Sequence, residues 1–186
     1  LKPAQSCLSC RTPVYRRLAL CDDCEADLPW QRPGCQRCGV SLEDPSHALA
    51  AESQYAAGRP YPAMATAAIC LNCQQAPPHY DRCRALFAYQ MPVSTMIKQF
   101  KEHAGFSEAR CLGQLAGAAF RQYYIEQDHQ APAFLLPVPL HRSRIGARGF
   151  NQSLLLCHAV SAQSGVPVLR QALERRLGRG RGDHET

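Results

Sequence analysis

Apolar residues recur at spacings of three and four along the middle of the chain, a pattern typical of a helix with one buried face. The stripe comprises Leu112, Leu115, Ala116, Ala119, Phe120, Tyr123 and Tyr124. Ser107 precedes it, and serine is a favoured helix N-cap, so we predict that the helix begins there. We interpret the stripe as a core-forming face rather than a cofactor site.

Segments on both sides of this helix predict an alternation of strands and helices. Three short apolar runs predict strands, at residues 85–89, 134–138 and 166–169. The run before Pro139 is expected to be a buried strand. Pro92 should open a helix that includes Phe100, and residues 151–164 should form another that Gly165 ends. This order of elements predicts an α/β domain with a parallel sheet.

The first 73 residues carry a different signal, which is a series of four Cys-x-x-Cys pairs. The pairs are Cys7/Cys10, Cys21/Cys24, Cys35/Cys38 and Cys70/Cys73. Each pair directs two thiolates at one centre, and two pairs complete a tetrahedral Zn²⁺ site. The sequence therefore predicts two structural zinc ions. We expect sequential pairing, in which the first two pairs share one ion and the last two share the other. Interleaved pairing is the alternative.

A disulfide framework is the competing interpretation of these cysteines. No secretion signal is visible at the start of the chain and no run of about 18 apolar residues occurs, so we expect a cytoplasmic protein with reduced thiols and no membrane span. Four thiolates leave no open position on a zinc ion, so metal catalysis is not expected. Cys83, Cys111 and Cys157 should pack as small apolar residues.

Composition divides the chain into three parts. We predict a zinc module at residues 1–79, in which residues 44–68 form an inserted loop, a second domain at residues 80–173, and a disordered tail rich in arginine and glycine at residues 174–186.

The formal charge is +6. Eight thiolates holding two Zn²⁺ would lower it to about +2, so overall charge is weak evidence for nucleic-acid binding. Charge distribution is more informative, because residues 136–182 carry eight arginines and a single acid, Glu174.

The segment at residues 138–152 carries the strongest chemical signal outside the cysteines. A strand leads into a loop rich in arginine and glycine, and the loop leads to a helix N-terminus, where backbone N–H groups favour an anion. Glycines allow a ligand to approach the backbone, arginines neutralise it, and Asn151 is the candidate N-cap. The predicted pyrophosphate-binding residues are Val138, Pro139, Leu140, His141, Arg142, Arg144, Arg148, Gly149, Asn151 and Gln152. A basic surface loop without a ligand is the alternative.

Taken together, the cysteine pairs, Phe100-Lys101, Leu-Pro-Val-Pro-Leu-His-Arg at residues 136–142 and Arg-Gly-Phe-Asn-Gln at residues 148–152 resemble the ComF/GntX family. The resemblance extends to about Leu173. It implies a zinc module on a type I phosphoribosyltransferase-like domain and a link to DNA uptake during competence. It also implies that residues 138–142 meet the pyrophosphate of phosphoribosyl pyrophosphate, bound with Mg²⁺, and that Lys101 occupies a basic position with a less defined role.

The chain departs from the family in one feature, a later strand that ends in two adjacent acids. Adjacent acids occur only in the predicted zinc module, as at Asp22 and Asp23. We therefore expect a C-terminally truncated, incomplete phosphoribosyltransferase-like domain, assign no catalytic residue, and expect no phosphoribosyl transfer. The alternative function is a non-catalytic zinc-dependent module that binds protein or single-stranded nucleic acid, although Trp30 and scattered aromatics do not form an obvious stacking surface.

Overall fold

The computed structural model describes residues 5–31, 34–42, 68–126 and 130–175. Contacts divide the chain into two compact units: residues 3–14 and 20–95 form one, and residues 1–2, 15–19 and 96–186 form the other. The loop predicted at residues 44–68 lies outside the described residues except for Ala68, and so does the predicted tail except for Glu174 and Arg175.

Short elements build the unit that carries the cysteine pairs. Strands β1 (Gln5–Ser6) and β2 (Pro13–Val14) form an antiparallel hairpin, in which Gln5 lies opposite Val14. Helices α1 (Asp22–Ala26) and α2 (Leu71–Gln75) have five residues each. Elements this short bury little apolar surface, so this unit depends on its cysteine clusters for stability.

Residues 80–95 belong by their contacts to this same unit. The strand predicted at residues 85–89 is reduced to a single antiparallel bridge between Trp30 and Phe87. The rings of these two residues are 4.8 Å apart between centroids, and Trp30 Nε1 donates a hydrogen bond to the Glu25 carbonyl at 3.1 Å. Trp30 is thus a packing residue of the zinc-binding unit. The domain boundary between residues 79 and 80 stays a prediction.

Four helices dominate the rest of the described chain. They are α3 (Val93–Glu102), α4 (Phe106–Arg121), α5 (Arg142–Arg148) and α6 (Gln152–Ser164), and a π-helical turn over Gln122–Glu126 continues α4. The predicted helix after Pro92 is α3, with Met96 and Phe100 buried.

The predicted cap of α4 was wrong, because Gly105 and not Ser107 occupies the N-cap. A Cβ on Gly105 would lie 2.6 Å from Glu108 Oε2 and 3.1 Å from the Gln99 carbonyl carbon. The backbone approaches too closely there for a serine.

Helices α4 and α6 pack through small residues. A Cβ added to Gly113 would lie 2.6 Å from Ala159 Cβ, and one added to Gly117 would lie 3.2 Å from the Ala159 carbonyl oxygen. The predicted stripe contributes Leu112 and Leu115 to the core, whereas Phe120 and the tyrosines are only half-buried. The glycines between them, outside the stripe, allow the helices to approach closely.

The apolar run at residues 134–138 differs from the predicted buried strand. It forms one parallel bridge, between Leu135 and Val168, closed by hydrogen bonds of 2.8 and 2.9 Å. Phe134, Leu136 and Val138 are 50%, 48% and 65% exposed, because no described element covers that face. The prediction of burial was wrong here. The observed bridge is parallel, as expected for a strand–helix–strand unit.

Candidate functional site

The eight paired cysteines form two clusters, each made of two successive pairs. Within each cluster, all sulfur atoms lie within 4.8 Å of one another. The Sγ atoms of Cys10 and Cys21 are 3.6 Å apart, and those of Cys38 and Cys70 are 3.7 Å apart. Four sulfurs at about 2.3 Å from a zinc ion would form a tetrahedron with edges of about 3.8 Å. The donor set and its spacing therefore fit structural zinc at both clusters.

Local backbone structure positions the sulfurs of each cluster in the same way. The first pair lies in a tight turn, and the second pair opens a short helix, with Cys21 as the N-cap of α1 and Cys70 as the N-cap of α2. The backbone N–H of Cys21 donates to Cys7 Sγ at 3.4 Å, and that of Cys70 donates to Cys35 Sγ at 3.3 Å. Such donors stabilise thiolates and orient them toward a metal ion.

The two turns repeat each other bond for bond. The N–H of Cys7 donates to the Thr12 carbonyl at 2.8 Å, and the N–H of Arg11 donates to the Cys7 carbonyl at 3.0 Å. In the second turn, Cys35 donates to Val40 at 2.8 Å and Gly39 donates to Cys35 at 2.9 Å. Arg11 and Gly39 both adopt positive φ, of 66° and 74°. Thr12 therefore corresponds to Val40, and Arg11 corresponds to Gly39.

The thiols of each cluster have unequal acidities. Burial raises the pKa of Cys7, but N–H groups of Cys10 and Cys21 donate to its sulfur and lower its pKa to about 6. Cys35 also has a pKa of about 6, since backbone donors outweigh its burial. In the same clusters, the hydrogen bond with Cys21 raises the pKa of Cys24 to about 12, and burial raises the pKa of Cys73 to about 12. Without a cation, four thiolates at such spacing repel one another.

The structure brings the pairs together sequentially, as the sequence analysis preferred, and not in the interleaved arrangement. All eleven cysteines lie in described residues, and none is in a disulfide. Outside the clusters, Cys83 is exposed, Cys111 is buried in α4, and Cys157 is half-buried in α6. Of these three, only Cys111 lies fully in the core as a small apolar residue.

The segment at residues 138–152, called the arginine segment below, contains a helix where a loop was predicted. Residues Arg142–Arg148 form α5, with His141 as its N-cap and Gly149 as a left-handed C-cap at φ 79°. Gly149 therefore serves to end the helix. Gly146 lies inside α5 with open space around it. Arg142 and Arg144 are exposed and Arg148 is half-buried.

Asn151 is the N-cap of α6, as predicted. Its Oδ1 accepts hydrogen bonds from the N–H groups of Ser153 and Leu154 at 2.9 and 3.4 Å. Its Nδ2 donates to the Val138 carbonyl at 3.1 Å, which ties the end of the extended segment to the start of α6. Two first-turn amides expected to face an anion are thus already bonded. An anion bound at this helix start would therefore rely chiefly on side chains.

The sequence analysis missed the structural role of Phe150. Its ring stacks on Phe100 with centroids 5.6 Å apart and packs at a tilt against Phe106 at 5.6 Å. Phe100 is 2% exposed, so Phe150 anchors the motif on the core. Lys101 follows Phe100 directly and is exposed on α3. The sequence signal that could have indicated this role is the aromatic ring of Phe150 itself, between Gly149 and Asn151.

Gln152, which follows Asn151 in the chain, has a buried amide nitrogen with no hydrogen-bond partner in the described structure. Its neighbours along the chain are Asn151, whose side-chain oxygen already accepts two hydrogen bonds, and Ser153, whose N–H donates one of them. A buried donor without an acceptor is rare in folded proteins and requires an explanation.

Comparisons with known proteins find a family model that matches the cysteine-rich region and relatives that match most of the chain. Residues 1–74 match the family model described as double zinc ribbon domain. The chain is 28% identical to competence protein F of Haemophilus influenzae over 170 residues, which are 91% of this chain and 65% of that protein. It is also 28% identical to DNA utilization protein YhgH of Escherichia coli K12 over 163 residues, 83% of this chain and 60% of that protein. The chain is similar over most of its length to these competence and DNA utilization proteins.

The chain spans 60–65% of the length of those two relatives. No solved structure matches the chain. The predicted family resemblance is confirmed, and so are the zinc-ribbon character of the N-terminal region and the two four-cysteine clusters. Among the described residues, no helix combines the length and apolar character required to cross a bilayer.

Proposed function

We propose that this chain is a ComF-family, phosphoribosyltransferase-like protein of competence or DNA utilization, and that residues 138–152 bind the pyrophosphate group of phosphoribosyl pyrophosphate. Its relatives are named competence protein F and DNA utilization protein YhgH. The strand–helix–strand unit with a parallel bridge supports an incomplete phosphoribosyltransferase-like domain. No residue is assigned a catalytic role, and Mg²⁺ would accompany the phosphorylated ligand.

The observation that carries the proposal is the unpaired buried amide of Gln152 within the arginine segment. An anion beside α5 would accept a hydrogen bond from this nitrogen and remove the cost of leaving it unpaired. Three arginines lie within the ten residues that precede Gln152, and their planar guanidinium groups suit a pyrophosphate.

Two anchors support a fixed shape for this segment. The bond from Asn151 to Val138 joins its ends, and the ring of Phe150 rests on buried Phe100. Pre-formed geometry reduces the ordering cost of ligand binding. The backbone of Lys101 is brought near the motif by the same aromatic contact, which supports its inclusion as an accessory cation.

Calorimetric titration with pyrophosphate tests the proposal. Arg148→Ala should weaken binding about tenfold, because a charge-assisted hydrogen bond is lost, and Arg148→Lys should recover only part of the affinity. Gln152→Ala should weaken binding to a smaller extent. Arg110→Ala removes an exposed arginine from α4 and should leave affinity unchanged. Equal affinity of the wild type and Arg148→Ala would contradict the proposal.

A second candidate is a non-catalytic module that binds single-stranded DNA or a competence protein. The names of the relatives and the excess of arginine after residue 136 favour it. Titration with an oligo-dT strand at several salt concentrations separates the two candidates. DNA affinity that falls steeply with salt, together with no affinity for pyrophosphate, would favour the DNA-binding module.

We propose a cytoplasmic location from the chemistry of the cysteines. Two clusters of four unpaired thiols can hold zinc only where the thiols stay reduced, which is the condition of the bacterial cytoplasm.

A further inference from the structure

The two cysteine clusters share one backbone design but differ in their exposure to solvent. In the second cluster, Cys35, Cys70 and Cys73 are buried, at 2%, 2% and 7% exposure. In the first cluster only Cys7 is buried, while Cys10 is exposed on the surface. A thiolate that solvent reaches is open to competing ligands and to thiol reagents, whereas a buried one is protected.

The apolar cover of the clusters differs in the same direction. The second cluster forms a small hydrophobic core with Leu42, against which Val40 and Ile69 pack. The first cluster has Thr12 at the position of Val40, and its hydroxyl lies 3.0 Å from Cys10 Sγ. A polar, exposed residue thus borders the first cluster where an aliphatic one shields the second.

Backbone strain provides an independent difference between the two turns. Both require positive φ at the residue four positions after the first cysteine. Gly39 adopts this conformation without steric cost, but Arg11 carries a Cβ and is strained there. The turn that holds Cys7 and Cys10 is therefore less stable than the turn that holds Cys35 and Cys38.

From these three differences we propose that the two zinc sites are unequal: the first, at Cys7, Cys10, Cys21 and Cys24, holds an exchangeable zinc ion that is released through Cys10, and the second holds a permanent structural ion. Departure of the Cys10 thiolate leaves zinc with three sulfur ligands and an open position. A chelator or water fills that position, and the remaining ligands then dissociate in turn. The second site lacks an exposed sulfur that could leave first.

This inference does not depend on pyrophosphate or DNA binding. An exchangeable first site makes the zinc occupancy of the chain depend on the zinc concentration of its surroundings. It also makes Cys10 the first target of an electrophile, since its thiolate can add to a maleimide double bond while the neighbouring carbon takes a proton from water.

Zinc release from the purified chain tests the proposal. The protein is mixed with excess chelating dye that changes colour on binding zinc, and absorbance is followed over time. We expect two phases of equal amplitude, one zinc per chain each, with rates that differ by about tenfold or more, given the strain and exposure at the first site. A chain purified with a single zinc should hold it at the second site. A single phase from two-zinc protein would overturn the inference.

Maleimide alkylation identifies the site that opens first. Samples are quenched with N-ethylmaleimide at the end of the fast phase, digested and analysed by mass spectrometry. Peptides with Cys7, Cys10, Cys21 and Cys24 should be alkylated while those with Cys35, Cys38, Cys70 and Cys73 remain unmodified. Alkylation of the second set first would show that the assignment is reversed.

The internal repeat supplies matched variants that keep all eight ligands. Arg11→Gly with Thr12→Val gives the first turn the residues of the second and should slow the fast phase by about tenfold. Gly39→Arg with Val40→Thr makes the reverse exchange and should accelerate the slow phase. If neither pair of substitutions changes the rate of its phase, backbone strain and apolar cover do not control zinc release, and the proposal fails.

Discussion

Asn151 shows how much one side chain contributes to the arginine segment. Its oxygen caps α6 and its nitrogen holds the Val138 carbonyl. Asn151→Ala removes both contacts and should lower the free energy of unfolding by about 1–2 kcal/mol, measured by thermal or urea melts. Asn151→Asp keeps the capping oxygen and loses the nitrogen donor, so it should fall between the wild type and Asn151→Ala. An unchanged melt for the alanine variant would show that neither contact contributes.

For single residues, the sequence predicted the features that depend only on neighbouring positions in the chain. A Cys-x-x-Cys pair carries its own turn, and an asparagine before an apolar helix carries its own cap, so Cys7 and Asn151 were assigned correctly. The position of Ser107 was misjudged because the turn between α3 and α4, in which the Gly105 N–H donates to the Gln99 carbonyl, places the helix start at Gly105. The stacking of Phe150 on Phe100 joins residues far apart in the chain, and no local pattern reports it.

The pairing of α4 with α6 is the main contact between elements, and it depends on glycine. Gly113→Ala would place a methyl group 2.6 Å from Ala159 Cβ. The helices would have to separate, which should cost about 1–3 kcal/mol of stability in a chemical melt. Gly146→Ala is the matched control, because its Cβ would meet nothing within 4 Å. The control should be neutral or stabilising by up to about 1 kcal/mol, since alanine favours a helix.

A Gly113→Ala variant as stable as Gly146→Ala would contradict the close packing of α4 and α6. The sequence predicted α4 from its apolar periodicity and α6 from Asn151 at its start and Gly165 at its end, but it could not predict this interface. Periodicity records large apolar side chains, whereas Gly113 and Gly117 contribute by having none. The prediction that the run at residues 134–138 is buried was wrong for a related reason. Burial depends on which element lies against a face, and the run itself does not encode that.

For the whole molecule, zinc is the component on which the cysteine-rich unit depends. Metal analysis of reduced, purified protein should return two zinc ions per chain, one for each cluster. Their removal by a strong chelator should abolish protection of this unit from proteases, because elements of two to five residues cannot fold alone. One zinc or none in fully reduced and intact protein would contradict the prediction of two sites.

The cysteine pKa values predict how zinc binding depends on pH. Without metal at pH 7, Cys7 and Cys35, with pKa values of about 6, are largely ionised, whereas Cys24 and Cys73, with pKa values of about 12, are protonated. Zinc requires thiolates, so its binding must release at least the protons of the last two. Affinity should therefore fall as pH decreases, and more steeply below pH 6, where Cys7 and Cys35 also become protonated.

Calorimetric titration of zinc into the reduced apo-protein in buffers of different ionisation enthalpy measures that proton release directly. The slope of the observed enthalpy against buffer enthalpy gives the number of protons released per zinc, and it should be at least one per site at pH 7. Cys24→Ser removes a thiol that is protonated before binding, so it should reduce the release at the first site alone. Cys83→Ser lies outside both clusters and should leave the slope unchanged. A slope of zero for the wild type would mean that the apo-protein already holds all its ligands as thiolates, contrary to the raised pKa values of Cys24 and Cys73.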